Sequence, residues 1–295
     1  MTRDRDWRSE DRDGVSVVIP TCNRGTYLRE AVESALAQTV DILEVIIVDD
    51  GSEVDPGPQL ADLGDKVKVH TLSERGGANV ARNHGIEVAR GAWIALLDDD
   101  DVWQPDKTAR QLQAIAAAQS TDTNEDGENG IAACICIAQD MGGPPDEPRH
   151  IDDISERLRV ENPCGTSGLI ARRSLLQAEP FDIAIARAQD WDLFVRLAQC
   201  DAMILLEEPL YLRRVGHDRI TTRAMHQTPK ELFDRACAAT HKHRQWLGEP
   251  AYKRRLAIIM LSYISQRKRK LHHIIAAIRH SGLRATLGVL ASKLR

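Results

Sequence analysis

Ala92-Trp93-Ile94-Ala95-Leu96-Leu97-Asp98-Asp99-Asp100-Asp101 decides the fold. An apolar run that passes straight into four aspartates reads as a buried strand that stops where the acids begin. Downstream, Pro105 opens a helix reaching about Gln119, since proline suits a first helical turn. Upstream, Ala78 to Ala89 has helical spacing, with Gly91 just past its end.

The same alternation extends toward the N-terminus. Val15 to Ile19 is a β-branched run closed by Pro20-Thr21-Cys22-Asn23-Arg24, and Leu43 to Val48 is a second strand stopped by Asp49-Asp50-Gly51-Ser52. Between them Tyr27, Leu28, Ala31, Val32, Ala35 and Leu36 recur with helical period. Lys66 to Leu72 reads as a third strand. Strands alternating with helices predict an α/β fold, with a mostly parallel sheet flanked by helices. Further along, strands are expected near 131–138, 166–171, 203–206 and 210–214, with a helix near 189–199. Residues 120–130 and 141–149 read as loops, and the chain reads as helical from Pro229 to its end.

The chain has 295 residues, with a charged fraction of 28% and a hydrophobic fraction of 42%, a balance that argues against wholesale disorder. The net charge of -5 conceals a split. Residues 251–295 hold eleven Lys or Arg and no Asp or Glu, so the rest of the chain is strongly acidic. Met1 to Asp13 is dense in charge and unlike a signal peptide. No apolar run approaches the ~20 residues of a spanning helix, so a cytoplasmic protein is expected. The six cysteines lack a C-x-x-C spacing and read as buried thiols rather than metal ligands or disulfides.

In open parallel sheets, ligands bind beyond the carboxyl ends of the strands. Three strands here end in polar clusters, at Thr21 to Arg24, Asp49 to Ser52 and Asp98 to Asp101. Neither a Walker lysine motif nor G-x-G-x-x-G follows them, which removes support for P-loop and dinucleotide-binding readings. Arg75-Gly76-Gly77-Ala78 precedes a helix, and its backbone N–H groups could face an anion. Four adjacent aspartates repel unless cations or hydrogen bonds compensate. Hard oxygen donors at this spacing suit Mg²⁺ or Mn²⁺, which commonly share their shell with substrate phosphates.

Val17-Val18-Ile19-Pro20-Thr21-x-Asn23-Arg24, Ile47-Val48-Asp49-Asp50-Gly51-Ser52, Gly77-x-x-x-Ala81-Arg82-Asn83-x-Gly85 and Leu97-Asp98-x-Asp100-Asp101-x-Trp103-x-Pro105 follow one another in this order. Gln189-Asp190-Trp191-Asp192-Leu193-x-x-Arg196-Leu197 completes the set. Together they resemble the family 2 glycosyltransferases, over about Val15 to Thr222. The resemblance implies a GT-A, Rossmann-like domain at 15–225, after a charged arm at 1–14 and before a helical extension at 226–295. It also implies an inverting, metal-dependent transferase that uses a nucleotide sugar, UDP-linked, and a glycan or lipid-linked acceptor. Thr21, Asn23 and Arg24 would sit by the nucleotide or its phosphates. Asp50 or Asp49 would bond the base, with Arg75 a further contact. Asp98 and Asp99 would lie near the ribose and donor. Asp98 and Asp100 would ligate the metal, and His217 would stand near it.

Asp190 matches the family's general base, which draws the proton from the acceptor hydroxyl. The family usually has Glu-Asp where this chain has Gln189-Asp190. Loss of one carboxylate should leave Asp190 with a less raised pKa. Without the motif, Asp190 and Asp192 would read as solvated carboxylates on a helix face. Trp103 is expected in the core. For Trp191, core burial and packing against a sugar face both stay open.

In the basic tail, Leu256, Ile259, Met260, Tyr263 and Ile264 share a helical stripe. Leu271, Ile274, Ile275 and Ile278 form another, and Leu283, Leu287, Leu290 and Leu294 a third. Apolar stripes beside Lys253-Arg254-Arg255 and Arg267 to Lys270 describe interfacial helices on an anionic membrane. This predicts peripheral attachment at the inner face. A helical bundle on the catalytic domain and an oligomer interface are alternatives. Nucleic acid is not expected as a partner, because the body is acidic and lacks a recognition motif. Two other functions stay open: a nucleotidyltransferase, and a nucleotide-sugar-binding protein without catalysis.

Overall fold

The computed structural model describes residues 12–121, 130–143, 153–215 and 227–293. They fall into two compact units, bounded along the chain as Met1–Ser155, Asn162–Phe181 and Arg196–Val215 for the first, and Glu156–Glu161, Asp182–Val195 and Gly216–Arg295 for the second.

The first unit is built on one sheet. Its strands are β1 (Arg12–Thr21), β2 (Ile42–Asp49), β3 (Val67–Thr71), β4 (Gly91–Leu96), β5 (Val102–Trp103), β6 (Ala133–Asp140), β7 (Leu169–Arg172) and β8 (Met203–Arg213). Among the described residues they pair in the order β3-β2-β1-β4-β7-β6-β8-β5. The β3-β2-β1-β4 half is parallel, as the βαβ alternation requires. The other half is mixed: β7 runs antiparallel to β4 and β6, β8 lies parallel to β6, and β5 closes antiparallel on β8. Helices α1 (Gly25–Leu36), α2 (Ala78–Val88) and α3 (Lys107–Thr121) follow β1, β3 and β5. Val17 and Val18 are consecutive and both fully buried, so both faces of β1 are covered.

Two glycines of the quoted motifs have separate tasks. Gly77 takes φ 85° at the entry to α2, a conformation that L side chains rarely adopt. At Gly85, a Cβ would lie 2.3 Å from Val18 Cγ1, so α2 can pack this closely on β1 only with glycine there.

Some expected boundaries shift. The strands expected at 203–206 and 210–214 are one strand, β8, whose register against β6 slips around Pro209. Proline has no N–H to give the ladder, which turns one strand into two runs in sequence. The strand expected at 166–171 begins as a 3₁₀ turn, Thr166–Gly168, and becomes extended at Leu169. Cys134 and Cys136 are buried on β6, as are Cys164 and Cys237 elsewhere, whereas Cys22 is half-buried and Cys200 exposed, so the expectation of buried thiols holds for four of the six.

The second unit contains α4 (Ile154–Val160) over its 156–160 part and the first turns of α6 (Gln189–Gln199); α5 (Arg173–Ala178) belongs to the first unit. The C-terminal helices are α7 (Pro229–Glu231), α8 (Ala238–Lys242), α9 (Arg244–Met260), α10 (Lys270–Ser281) and α11 (Leu283–Ser292). The helical pattern is broken by Gly248 at φ 70°, by Tyr263 in the left-handed region at φ 55° and by Gly282 at φ 83°. Leu232, Ala257, Met260, Leu261, Ala277 and Val289 form the core of this bundle.

Candidate active site

The three acid- or amide-bearing strand ends come together because β1 lies between β2 and β4. Thr21 pairs with Asp49 in register. The Asp50 N–H donates to Thr21 O at 2.9 Å, and the Leu97 N–H to Val18 O at 3.1 Å. Thr21, Arg24, Asp49, Asp50 and Asp98 to Asp101 are therefore assembled at one edge of the sheet, where the sequence placed them.

The loops after β1 and β2 are stitched to each other. Asn23, at φ 59°, accepts the Glu53 N–H on Oδ1 at 2.8 Å and donates its own N–H to Ser52 Oγ at 2.8 Å. Ser52 in turn gives its N–H and hydroxyl to Asp49. Each oxygen of Asp50 takes one N–H, from Gly76 at 2.6 Å and from Gly77 at 2.9 Å. The anion facing the Arg75-Gly76-Gly77 turn is thus the protein's own carboxylate. Arg75 donates Nε to Asp50 O at 3.2 Å and Nη2 to Cys22 Sγ at 2.9 Å. These bonds fix the loop shape and leave carboxylates with capacity for more donors.

The aspartate cluster divides by partner. Asp98 Oδ1 accepts Arg82 Nη2 and Thr166 Oγ1, both at 2.7 Å; no bond to Oδ2 occurs among the described residues. Asp99 is buried and accepts Thr21 Oγ1 at 2.7 Å. Arg24 lies 3.5 Å from both Asp99 Oδ1 and Asp100 Oδ2, a loose pairing beside the about 2.8 Å of a charge-assisted bond. Asp101 accepts Ser167 Oγ at 2.7 Å and the Arg214 N–H at 3.3 Å. Burial pushes both Asp99 and Asp101 from 3.8 up to about 7. The neighbouring acids Asp98 and Asp100 add to the rise, while Thr21 and Arg24 oppose it at Asp99 and Ser167 does so at Asp101.

Among the described residues, no group of three or more His, Cys, Asp or Glu forms a ready metal cage. The donor set nevertheless fits a hard divalent cation. Asp98 and Asp100 are oxygen donors with part-exposed side chains, and their charges help to raise the pKa of Asp99 and Asp101. A cation held there would take its remaining ligands from water or a bound phosphate, the usual habit of Mg²⁺. His217 lies outside the described residues.

Arg82, Thr166, Ser167 and Arg214 are site residues for which the sequence suggested no role. Arg82 is 6% exposed and faces the Phe181 ring at 5.3 Å, and its Nε and Nη1 have no hydrogen-bond partner among the described residues. Its signal in the sequence is a charge within the buried face of α2, between Ala81 and Gly85. Arg214 carries none, because its bonds to Asp101 and to Asp100 O depend on β8 running back beside β5.

In the second unit, Asp190 lies in the first turn of α6, half-buried, and its Oδ1 accepts the Trp191 N–H at 2.8 Å. Trp191 is fully buried and donates Nε1 to Leu158 O at 2.8 Å, which closes the sugar-stacking alternative in favour of the core. Arg255 of α9 stacks 3.6 Å from the Trp191 ring centre and donates Nη1 to the same carbonyl at 3.3 Å. Burial lowers Arg255 to about 10, and the negative charge of Asp190 opposes that fall. Asp192 is not a solvated carboxylate: it is 1% exposed and paired with His243 Nε2 at 2.8 Å and Lys242 Nζ at 3.0 Å. Trp103 is buried as expected, with Nε1 on Ser167 O at 2.9 Å and the buried Lys107 ammonium 4.2 Å from its ring centre.

A parallel half-sheet with acids, a hydroxyl and guanidinium groups at its strand ends, continued by a mixed half, defines a GT-A domain. The chain aligns over 92% of its length with Staphylococcus aureus TarS, covering 54% of that chain at TM-score 0.55 and 18% identity. It aligns over 97% with the mannosyltransferase PcManGT from Pyrobaculum calidifontis, covering 81% of that chain at TM-score 0.60 and 18% identity. At such identities the likeness is one of fold. Residues 16–123 match the family model described as glycosyl transferase family 2. An uncharacterized glycosyltransferase of Rickettsia prowazekii is 37% identical over 218 residues, which are 72% of this chain and 67% of that protein. Glycosyltransferase GlyG of Streptococcus pneumoniae is 42% identical over 92 residues, 30% of each chain. The matched part spans only 18–34% of the length of further Rickettsia relatives. The chain belongs to glycosyl transferase family 2.

Proposed function

We propose that this protein transfers a sugar from a nucleotide diphosphate donor to an acceptor hydroxyl, with inversion at the anomeric carbon. The observation that carries the reading is the Thr21–Asp99 bond: it joins the end of β1 to the aspartate cluster after β4 and makes one donor edge. Thr21, Asn23, Arg24, Asp49, Asp50 and Arg75 hold the nucleotide. Asp98 and Asp99 face the ribose and donor, and Asp98 and Asp100 hold a divalent metal. That metal would supply charge neutralisation at the leaving diphosphate. The neighbour PcManGT is known in complex with GDP-Man and Mn²⁺, and TarS residues 1–349 in complex with UDP-GlcNAc, which supports a nucleotide sugar and a divalent cation here. A UDP-linked sugar is our reading of the donor.

Arg82 orients Asp98, and Arg24 lies beside Asp99 and Asp100. Asp190 is the general base: it must come within about 3 Å of the acceptor hydroxyl and takes its proton as that oxygen attacks opposite the diphosphate. The acceptor is a glycan or a lipid-linked precursor, and contact of residues 251–295 with an anionic membrane would bring the second kind within reach, at the cytoplasmic face. No described helix is long and apolar enough to cross a membrane.

A panel of UDP- and GDP-sugars tests the reading. Free nucleoside diphosphate is the expected product, in the presence of Mg²⁺ or Mn²⁺ and not after chelation; release of pyrophosphate would instead reveal nucleotidyl transfer. Asp98→Ala and Asp100→Ala should lose metal-dependent donor protection against thermal unfolding. Asp190→Asn should retain that protection and lose turnover.

A further inference from the structure

The C-terminal bundle sorts its apolar stripes in a way the sequence does not show. Ile274 and Leu290 turn inward against the core of Ala257, Met260, Leu261, Ala277 and Val289. Leu271, Ile275 and Ile278 of α10 and Leu283 and Leu287 of α11 turn outward, and are 70%, 55%, 36%, 57% and 54% exposed. On α10 they fall at i, i+4 and i+7, a single outer stripe. Five large aliphatic side chains on two successive helices go beyond the scattered exposure normal for a soluble surface.

A cavity of about 720 Å³ adjoins this stripe through Leu283. Its floor is apolar, with Pro250, Ala285 and Val289, and Lys253, Arg254 and Arg284 line it together with Glu249. Lys253 is only loosely paired with Glu249, at 3.5 Å with both side chains half exposed. Arg254 gives Nη1 to Val160 O at 3.1 Å.

Charge decides what covers the surface. Residues 251–295 hold no acid, and of their eleven basic residues Arg255 and Arg267 are buried while eight are exposed among the described residues. A second copy meeting this face in a two-fold dimer would bring the same patch against itself and set cation against cation. A nucleic acid would match the charge and leave the aliphatic stripe unburied. An anionic bilayer matches both, taking aliphatic side chains into its acyl boundary and basic ones at its headgroups.

We propose that the outer face of α10 and α11 docks on an anionic lipid bilayer, with Leu271, Ile275, Ile278, Leu283 and Leu287 entering the acyl boundary and the cavity lined by Lys253, Arg254 and Arg284 receiving a lipid headgroup phosphate. The proposal deepens the membrane contact given under the proposed function and rests on that part of it. Its test needs no turnover, so its failure and a failure of sugar transfer are distinguishable.

The full chain is floated with vesicles of phosphatidylglycerol in phosphatidylcholine, and with phosphatidylcholine alone. Binding is expected to the anionic vesicles only, falling steeply with added salt. Ile275→Ser with Leu287→Ser should weaken it at least about tenfold. Lys253→Gln and Arg284→Gln should each weaken it about fivefold. All four sites are at the surface, and circular dichroism checks that each variant is folded. Soluble glycerol phosphate should not displace the protein. Three results overturn the proposal: equal binding to neutral vesicles, binding unaffected by the serine pair, or displacement by the soluble phosphate. A vesicle-free protein that sediments as an oligomer and becomes monomeric with the serine pair also overturns it, by making the face a contact between copies.

Discussion

The guanidinium of Arg255 stacks 3.6 Å from the centre of the Trp191 ring, and both side chains donate to the carbonyl of Leu158. Trp191 directly follows Asp190 and holds its carboxylate through the backbone N–H. A residue of the basic C-terminal segment is thereby built into the surroundings of the proposed base. The other charges nearby are largely committed: Asp192 to Lys242 and His243, and Arg157 to Glu161. A buried cation next to a carboxylate favours its ionised form. Arg255→Met should therefore move the ionisation of Asp190, and with it the acidic limb of the kcat profile, to higher pH, and Arg255→Lys should move it less. The amide resonance of Trp191 followed against pH reads the same event without turnover. Superimposable titrations in the wild type and Arg255→Met would rule the coupling out.

Arg82 predicts a second effect, at the donor edge. Its Nη2 and Thr166 Oγ1 meet on a single oxygen of Asp98. Arg82→Met leaves that carboxylate held by the threonine alone and free to swing. Misplacement by about 1 Å can cost on the order of a hundredfold in rate, so kcat/KM should fall by about that factor while the fold persists. Thr166→Val should produce a smaller loss. Normal kinetics in Arg82→Met, with metal affinity unchanged, would show that Asp98 needs no such support.

The raised Asp99 gives a stability signature. Its carboxyl goes from 3.8 to about 7 through burial first, then the charges of Asp100 and Asp98. The folded chain keeps a proton there that the unfolded chain has released, so this contribution is complete below about pH 4 and lost as pH rises through about 7. Asp99→Asn imitates the protonated acid. In chelator, it should raise Tm relative to wild type near pH 8, with the gain shrinking toward pH 4. A constant difference across that range would place the proton elsewhere.

Gly85 offers a packing test. A Cβ there lies 2.3 Å from Val18 Cγ1, so Gly85→Ala should destabilise by about 1–3 kcal/mol, the usual cost of overpacking. Val18→Ala removes the obstructing methyl groups and should recover part of that loss in the double variant. Denaturant unfolding of the four proteins of the cycle measures the coupling. Additive effects would mean that α2 moves away instead.

Much of the donor edge was legible from local pattern. An apolar run that ends in acids reports a buried strand and a polar strand end in the same few residues. Parallel strands place such ends on one edge, so Thr21, Asp50 and Asp98 could be grouped before any coordinates. Proline at 209 hid the continuity of β8, because a missing N–H looks like a strand break. Arg214 escaped because its meeting with Asp101 spans 113 positions of chain. The stripes of α10 and α11 were visible as period, which cannot tell an inner from an outer face when apolar residues occur on both.

From its order of residues alone this chain determined an α/β sheet, the motif set of its family and a division between acidic body and basic tail. Those features are local, and each is written in periodicity, turn chemistry or charge along a short stretch. Tertiary structure decided that Asp50 spends its oxygens on Gly76 and Gly77, that Arg82 grips Asp98, that Arg255 reaches the neighbour of Asp190 and that five aliphatic residues face outward. Each of these depends on which distant segments pack together, and packing is settled by the sum of many weak contacts that no single stretch of sequence contains.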